Sequence, residues 1–575
     1  MALQVSLPPP PTTEPYRYDE KANFTGGLNL RADQFNIGET ESPALLNVSV
    51  DPRGGVRRRD GIVKINATAT TGEIIGLNVH YESGQNQVLA SVYDSTANTS
   101  TVQYNDNASG NFEGTIQYSA ADVVFAGSQA PNGVTFNGYT YLTNGDYLNT
   151  PSGTYTALRW NGSASAVATD GGFDGSPGHF PAARYVTSWN EMVGVAYTVE
   201  SGVYHPNRVR FSKSNDGEVW ESLDYLDIDL GEDGDFITAI IPDQDRLLVF
   251  KQNAVYGIYG FDRDTFEVRN LTRAAGNRDG CQPTAGRQGI FFWYAEQGIY
   301  LIQNPQNEPV WVFERIHPAM TWDVGYPALS LDNAPSLMWH DEKLWVSVDY
   351  ASEDNLSHSA QSGRRNVFMW DPTLGQTGAW VRYDINARAL LAYRPSGSTH
   401  VPIGVISEIE TDAPANFVRI AKFEQNVDTD DYGASAVNVI NSFYQTSWFD
   451  GNRPTFLKRW GKTRTILLAD NTVVITMQVY KDYSLASYTQ AQSGSFTGVA
   501  GATWVNDAGD VGTGVWDTSE WAQEGTSDVY EVVRWGSIGT AKAISLRFVS
   551  TPAVDATGKW GVTSIVGMYR TRRLR

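Results

Sequence analysis

The sequence predicts an all-β fold: a degenerate six- or seven-bladed β-propeller with an extended N-terminal arm and a C-terminal module like a β-sandwich or jelly roll. Apolar and polar residues alternate with period two, and Gly, Asn or Asp interrupts the pattern roughly every eight to twelve residues. Amphipathic helical spacing is almost absent. A composition with 54 Gly, 29 Tyr and 17 Trp also favours strands connected by tight turns.

Residues 1–68 are predicted to form the extended arm. Four consecutive prolines at positions 8 to 11 favour a stiff polyproline II segment. One short helix is expected further on, in SPALLNV, because Ser42 is a suitable N-cap and Pro43 suits the first helical position. The stretch NVSVDPRGGVRRRDGI (47–62) predicts a hairpin or strap whose turn presents Arg53, Arg57, Arg58 and Arg59.

Residues 69–432 are predicted to form the propeller body. A loose unit recurs there, with a turn rich in Asp, Asn or Gly, an apolar strand, a second turn and an aromatic strand. Examples are NGVTFNGYTYLTNGDYL (132–148), DQDRLLVFKQNAVYGIYG (243–260) and GRQGIFFWYAEQGIYLI (286–302). Their spacing of about 40 to 55 residues fits four-stranded blades, six or seven in number.

Residues 433–575 are predicted to form a second β module. The repeating pattern of the propeller body ends at QNVDTDDYG (425–433). Strands of alternating apolar and polar residues follow, from SFYQTSWFDGNRPTFLKRW (442–460) to GVTSIVGMYRTRRLR (561–575). A stretch of this length with this alternation suits a β-sandwich or jelly roll.

The charge and cysteine content restrict the partners. With 43 basic and 64 acidic residues the net charge is −21, which disfavours general binding of nucleic acid or anionic membrane, although an acidic wall would let DNA slide past. A single cysteine, Cys281, excludes an intramolecular disulfide and favours assembly in a reducing cytosol. The sequence contains no run of about 18 apolar residues, so no membrane span is predicted. We also expect no secretory signal.

Two acidic motifs admit either a functional or a plain structural interpretation. DIDLGEDGD carries Asp227, Asp229, Glu232, Asp233 and Asp235, which suit a hard cation such as calcium, but the spacing departs from an EF-hand and a solvated loop is favoured. SNDGEVW (214–220) resembles the Asp-box turn of sialidase propellers, lacks one residue of its spacing, and is architectural even where it matches.

Catalytic signatures are not found in the sequence. The seven histidines are scattered without zinc spacing, and no nucleophile elbow, Walker loop or dinucleotide fingerprint occurs. A lone thiol such as Cys281 is more often structural than nucleophilic. The aromatic residues at period two favour blade core over sugar or base stacking; they are Trp293, Tyr294, Trp345, Trp370 and Trp380. We therefore expect neither an enzyme nor a cofactor or metal.

Three segments together resemble a family of tailed-bacteriophage structural proteins, the minor tail proteins and tail tubular or nozzle proteins. FTGGLNLRADQFNIGETESPALLNVSVDPRGGVRRRDGI (24–62) resembles the N-terminus of the family. GDFITAIIPDQDRLLVFKQNAVYGIYGFDRDTF (234–266) resembles its central propeller blade, and residues 442–460 resemble the opening strand of its C-terminal module. The resemblance implies a virion component that is present in several symmetric copies at a tail tube end, nozzle or tip.

The resemblance implies partners and a location. We expect copies of the chain to form a ring in the virion tail, assembled in the bacterial cytoplasm, with other tail proteins (tube, adaptor or fibre) as neighbours and transient contact with passing DNA. Guanidinium groups bind carboxylates strongly, so the two basic segments are predicted to dock on acidic neighbouring subunits; these residues are Arg53, Arg57, Arg58, Arg59, Arg570, Arg572, Arg573 and Arg575. The alternatives are a host-surface glycan-binding or glycan-hydrolysing propeller, a cellular scaffold, or, for the arginines, DNA contact or a solvated turn.

Overall fold

The computed structural model describes most of the chain. The described residues are 15–33, 35–82, 85–105, 111–112, 114–118, 121–144, 157–163, 167–168, 180–200, 202–229, 235–295, 297–303, 308–320, 329–330, 334–350, 365–375, 377–395, 399–407, 417–427, 429–432, 437–469, 472–497, 529–550 and 559–571. The polyproline segment predicted at positions 8 to 11 lies outside them. Within them no α-helix occurs, no helix is long and apolar enough to cross a membrane, and the all-β prediction is confirmed.

The N-terminal segment consists of short strands. They are β1 (Arg17–Lys21), β2 (Gly27–Leu28), β3 (Glu41–Ser42), β4 (Leu45–Leu46), β5 (Val48–Val50), β6 (Val56–Arg58) and β7 (Val63–Lys64). The hairpin predicted in residues 47–62 is present, because β5 and β6 pair in antiparallel fashion with Val50 opposite Val56.

The prediction of a helix after Ser42 is wrong. The segment instead forms β3 and β4, and the Ser42 hydroxyl lies within hydrogen-bond distance of the carbonyls of Ala44 (2.8 Å) and Gln445 (2.7 Å) rather than capping a helix. Leu45 and Leu46 are both buried. Adjacent residues that are buried on opposite sides suit a short strand between two packed layers, whereas one face of a surface helix must stay polar.

The described strands between residues 73 and 422 pair in antiparallel fashion and form seven blade sheets in chain order. Blades one to three contain β8 (Glu73–Glu82), β9 (Gln85–Asp94), β10 (Thr99–Asn105), β11 (Gly114–Thr115), β12 (Gln117–Tyr118), β13 (Ala121–Asp122), β14 (Val124–Ala126), β15 (Asn132–Phe136), β16 (Tyr139–Thr143), β17 (Ala157–Trp160), β18 (Val167–Ala168), β19 (Ala182–Trp189), β20 (Met192–Glu200), β21 (Val203–Phe211) and β22 (Tyr225–Asp227). The short strands β12 and β13 pair with each other beside blade one.

Blades four to seven continue the same arrangement. They contain β23 (Ile237–Asp243), β24 (Arg246–Lys251), β25 (Val255–Tyr259), β26 (Glu267–Thr272), β27 (Thr284–Gly286), β28 (Gly289–Tyr294), β29 (Gly298–Ile302), β30 (Val310–Trp311), β31 (Leu329–Ser330), β32 (Ser336–His340), β33 (Lys343–Tyr350), β34 (Arg365–Asp371), β36 (Ala387–Tyr393), β37 (Val401–Ser407) and β38 (Phe417–Lys422). The strand β35 (Ala379–Tyr383) lies between β34 and β36 in the chain, and two 3₁₀ turns occupy Arg263–Thr265 and His317–Met320.

The seven sheets close into a ring. One strand of each sheet contacts its counterpart in the next, in the cycle β8, β15, β19, β23, β27, β32, β36 and back to β8. The seventh blade has the order β36-β37-β38-β7, so Val63 and Lys64 supply its last strand, opposite Lys422 and Ala421. This is a β-propeller with seven blades, the larger of the two predicted numbers.

Aromatic and aliphatic side chains fill the spaces between blades. The Phe250 and Phe292 ring centroids of blades four and five lie 5.1 Å apart. Trp293, Trp345 and Trp370 are buried, so they form blade core, as the period-two pattern predicts. The described part of the segment that carries part of the resemblance, residues 235–266, forms most of blade four.

Two further strands, β39 (Thr429–Asp431) and β40 (Val437–Val439), pair only with each other. The remaining strands belong to two facing antiparallel sheets. They are β41 (Ser442–Gln445), β42 (Lys458–Ala469), β43 (Thr472–Lys481), β44 (Gln490–Thr497), β45 (Val529–Ala541), β46 (Ile544–Ser550) and β47 (Trp560–Thr571). One sheet has the order β45-β42-β47-β6-β5, with β1 also paired to β47; the other has the order β4-β41-β46-β43-β44. Trp535 of the first sheet meets Phe548 of the second at 6.2 Å between ring centroids, as in a β-sandwich.

The chain divides into two compact units. Unit 1 comprises residues 1–59, 373–381 and 439–575, and unit 2 comprises residues 60–372 and 382–438. Unit 1 contains the sandwich together with β1 to β6, so the first described residues of the chain are part of its sheets. Unit 2 contains the propeller.

Candidate functional site

The hairpin arginines that are predicted to dock differ in their exposure to solvent. Arg53 and Arg57 are exposed, and Arg57 pairs with Asp51 at 3.7 Å. Arg58 and Arg59 are 1% and 2% exposed, and Arg59 Nε donates to Asn47 Oδ1 at 2.9 Å. Neighbouring residues of a strand point to opposite faces, so Arg57 faces solvent and Arg58 faces the interior. Arg58 and Arg59 therefore support the fold, and the docking prediction applies to Arg53 and Arg57.

The second predicted basic segment is described in part. Arg570 lies in β47, half-buried, with its guanidinium 3.7 Å from the centre of the Tyr16 ring. β6 and β47 pair directly, so Arg57 and Arg570 belong to the same six-stranded sheet. The other three arginines predicted to dock, Arg572, Arg573 and Arg575, lie outside the described residues.

One segment lies across the end of the propeller channel. Residues 277–283 connect blade four to blade five on the face where the chain passes between blades, which we name the crossover face. Gln282 Nε2 donates to Asn132 Oδ1 of blade two at 3.0 Å, and Asn277 N donates to the Lys251 carbonyl of blade four at 2.8 Å. A Cβ placed on Gly280 would be 3.0 Å from Ala334, at the start of blade six. A segment that reaches blades two, four and six must cross the channel axis.

Asp279 anchors this crossing segment to blade three. Its carboxylate accepts hydrogen bonds from Arg184 Nη2 (3.1 Å) and from the Tyr185 hydroxyl (3.0 Å). The Arg184 guanidinium also lies 5.6 Å from the centre of the Tyr197 ring. Burial raises the pKa of Tyr185 well above its ordinary value, so the phenol stays protonated and keeps donating. The chain thus holds a carboxylate, a guanidinium and two phenol rings together at the channel mouth.

A polar depression lies next to Asp279. It has a volume of about 480 Å³ and is lined by Gln252, Asn253, Asn277, Arg278, Asp279 and Ala295. Gln252 and Asn253 form the turn between β24 and β25, and Ala295 follows β28, so turns of blades four and five form the wall. Amide, carboxylate and guanidinium groups together both donate and accept hydrogen bonds. The sequence did not single out any of these six residues, because each lies in a loop without a motif.

Two of the three described carboxylates in the acidic loop that was considered for calcium, Asp227 and Asp229, bind arginines. Arg208 binds Asp227 through Nε (2.7 Å) and Nη2 (2.9 Å). Asp229 accepts from Arg273 Nη2 at 2.9 Å and from the Tyr256 hydroxyl at 2.5 Å. Bidentate guanidinium pairing uses the oxygens that a cation needs. Asp235 accepts from Gln252 N, whereas Glu232 and Asp233 lie outside the described residues.

The cysteine, the histidines and the turn that resembles an Asp-box were also considered as candidate sites, and the structure gives them supporting roles in the fold. Cys281 is buried, and burial raises the pKa of its thiol to about 12. His80 is buried with Nδ1 2.7 Å from Thr140 Oγ1, and among the described residues no group of three or more His, Cys, Asp or Glu could hold a metal. The segment that resembles an Asp-box forms a turn before β22 of blade three, with Trp220 buried and its indole donating to the Gly217 carbonyl at 2.9 Å.

Comparisons with known proteins assign no family to the chain. No protein-family model and no curated protein matches it. The extracellular domain of a one component system from B. thetaiotaomicron is 9% identical with a TM-score of 0.33, over 67% of this chain and 52% of that one, so the chain spans about half the length of this match. An exo-beta-1,3-galactanase from Phanerochaete chrysosporium is 8% identical with a TM-score of 0.23, over 89% of this chain and 99% of that one. A protein named as a glycoside hydrolase is 10% identical with a TM-score of 0.26, over 86% and 100%.

These matches correct one prediction. Two of the three proteins are glycoside hydrolases by name, which contradicts the prediction that the chain is not an enzyme, and that prediction is withdrawn. TM-scores this low assign no activity to the chain. None of the three names describes a phage protein, so the virion function remains a proposal.

Proposed function

We propose that the chain is a structural component of a bacteriophage tail, at the nozzle, tube end or tip, where copies of it form a symmetric ring through which DNA passes. The observation that supports this most is the anchored hairpin of residues 47–59. Its sequence carries the resemblance to tail proteins, and its geometry presents arginines from a fixed support.

The hairpin tip is held by local hydrogen bonds. Arg53 N donates to Asp51 Oδ1, and Gly54 N donates to the Asp51 carbonyl, each at 2.8 Å. Phe24 N in turn donates to the Gly54 carbonyl at 2.9 Å. Docking from a preordered tip costs less conformational entropy than docking from a flexible arm. The net charge of −21 supplies carboxylates for such a tip on a neighbouring copy.

The location is tested by electron microscopy of phage particles made from the genome that encodes the chain. Particles are labelled with an antibody against the chain. We expect label at the tail in a constant position. Particles that carry no label, while their tails are intact, would contradict the proposal.

The ring is tested with the double variant Arg53→Glu/Arg57→Glu. We expect wild-type protein to form a closed oligomer in sedimentation velocity and the variant to remain smaller, because two cations per interface become anions. Arg269→Glu/Arg287→Glu is the matched control, since these propeller arginines are also exposed. Equal oligomerisation of wild type and Arg53→Glu/Arg57→Glu would contradict a role of the hairpin in docking.

A second candidate function is supported by the depression on the crossover face. A polar pocket of about 480 Å³ between blade turns is of a size and chemistry that suits one or two sugar rings. The chain would then bind or hydrolyse a host-surface glycan through its propeller. Glycan-array binding or saccharide release by the purified chain, lost in Asp279→Ala, would support this candidate. The absence of both for the wild-type protein would exclude it.

A further inference from the structure

The outward face of the six-stranded sheet in unit 1 concentrates basic residues that are far apart in the sequence. These residues are Arg459, Lys462, Arg464, Arg534 and Arg570. They lie on β42, β45 and β47, which are neighbours in the sheet. We name this surface the basic sheet face. All but Arg570 are exposed, and no salt bridge involves any of the five within the described part of the chain.

Register brings like charges into direct opposition on this face. Arg464 is paired with Arg534 across β42 and β45, and Arg459 is paired with Arg570 across β42 and β47. Their side chains leave the same face, because the intervening Trp460, Thr463 and Thr465 are buried on the other one. Like charges directly opposite each other destabilise a sheet. Two such pairs in one sheet of a chain with net charge −21 indicate that the positive charge serves a ligand.

Among the side chains that the structure describes on this face, little negative charge is found. Glu20 of β1 is opposite Val566, which is opposite Arg464, so Glu20 lies two strands, or about 10 Å, from that arginine. Its carboxylate instead accepts from the Ser564 hydroxyl at 3.1 Å. Tyr16 and Tyr18, which are 42% and 64% exposed, lie at the same edge. A basic face with exposed aromatic residues at its edge has the composition of nucleic-acid-binding surfaces.

The length of the basic sheet face matches a phosphate backbone. Arg459 and Arg464 are five residues apart in one strand, about 16 Å at 3.3 Å per residue, with Lys462 between them. One DNA strand presents about five phosphates over that length. Protein surfaces usually intersperse both signs of charge, whereas an uninterrupted series of cations suits a uniform polyanion.

We propose that the basic sheet face contacts the phosphate backbone of DNA without sequence specificity. This inference deepens the proposed tail function, because it names the surface that meets the passing DNA. It differs from the predicted docking role of the arginines in that Arg459, Lys462, Arg464 and Arg534 belong to neither of the two predicted basic segments. The wider basic face that backbone binding needs is assembled by the sheet and is not visible as a cluster in the sequence.

The test measures DNA binding by the purified full-length chain as a function of salt. Fluorescence anisotropy follows a labelled 20-bp duplex of arbitrary sequence and, separately, a 20-nucleotide single strand, between 25 and 200 mM salt. With four to five phosphates neutralised, we expect log K to fall with log salt at a slope of about −4 for the duplex and about −3 for the single strand. The stronger binder identifies which form of DNA the face fits.

The decisive variant is Arg464→Gln/Arg534→Gln. It is expected to reduce the slope by about two and to weaken binding, because two phosphate contacts are lost. Thermal stability should be unchanged or higher than in wild type, because one like-charge pair is removed; this excludes unfolding as the cause. Arg269→Gln/Arg287→Gln, on the propeller, should leave the slope unchanged.

Three outcomes would overturn the inference. The first is no binding of either DNA at 25 mM salt, and the second is an unchanged slope for Arg464→Gln/Arg534→Gln. The third is self-association that the same variant abolishes while DNA binding is absent, which would assign the face to a second copy of the chain. A chain that labels phage tails but binds no DNA would refute this inference alone and leave the proposed function in place.

Discussion

Blade four contains two ion pairs that differ mainly in burial and provide a matched test of buried charge in the propeller. Arg246 binds Asp243 through Nε (2.9 Å) and Nη2 (2.8 Å), and the two side chains are 1% and 5% exposed. Arg269 binds Glu267 with its side chains 55% and 59% exposed. Both arginines also reach Tyr259, Arg246 by a hydrogen bond of 3.2 Å and Arg269 with its guanidinium 4.8 Å from the ring centre.

The perturbation is Asp243→Asn, which keeps the shape of the side chain and removes its charge. Arg246 then remains buried and charged but loses the Asp243 carboxylate, and breaking a buried pair in this way costs about 3–5 kcal/mol. Since about 1.4 kcal/mol is a factor of ten, the opening equilibrium of blade four should rise by about two to three and a half orders of magnitude. For the exposed pair, Glu267→Gln should have no measurable effect, because water already solvates both groups.

Hydrogen exchange measured by mass spectrometry reports the opening equilibrium of each blade separately. It does not require the whole chain to unfold in one step. Peptides covering β24 and β25 should lose protection in Asp243→Asn and keep it in Glu267→Gln. In Asp243→Asn/Arg246→Met much of the protection should return, because no uncompensated charge remains in the interior. The reasoning is refuted if Asp243→Asn exchanges within threefold of wild type, or if the double variant is less protected than Asp243→Asn.

Three further predictions concern single residues. Cys281, with its pKa raised to about 12, should react with a thiol reagent at pH 8 about a thousandfold more slowly in the native protein than in urea; comparable rates would contradict its burial. Gly289→Ala should lower the melting temperature more than Gly138→Ala: both glycines have positive φ, but the new Cβ at 289 would be 2.1 Å from a carbonyl oxygen, whereas at 138 it meets nothing within 4 Å. Burial raises the pKa of Glu200, but the hydrogen bond from Arg210 and a second arginine outweigh it, so the pKa is below its ordinary value. Stability from this group is therefore present above the unfolded-state pKa and falls as the pH decreases through the lower folded-state pKa; thermal melts between pH 6 and 3 should show a shallower loss for Glu200→Gln than for wild type.

The blades were predictable because each is a local pattern. An apolar strand, a turn and an aromatic strand follow one another within about 50 residues, so a sequence window contains nearly the whole of blade four or blade five. The closing strand β7 was not predictable. Val63 and Lys64 form a strand of two residues, too short to show alternation, and its partner β38 lies more than 350 residues further along the chain. The predicted arm consequently extended to residue 68, past the strand that completes the propeller.

Local sequence preference predicts the wrong secondary structure where tertiary burial determines it. Ser42 followed by Pro43 is a good helix start in isolation, but Leu45 and Leu46 both lie in the interior of unit 1, which overrides that local preference. The candidate pocket was missed for the opposite reason. Its residues are ordinary loop side chains, and the packing of blade four against blade five brings their turns together around Asp279.

The arginines show how a strand redistributes a charge cluster. Arg57, Arg58 and Arg59 are consecutive in the sequence, yet Arg57 is exposed while Arg58 and Arg59 are buried, so one local cluster contributes a single side chain to the surface. Arg464 and Arg534 are 70 residues apart and become direct neighbours because β42 and β45 pair. Sheet order therefore determines where positive charge accumulates on this chain. For that reason the basic sheet face, rather than the basic hairpin, is the wider surface available to a polyanion.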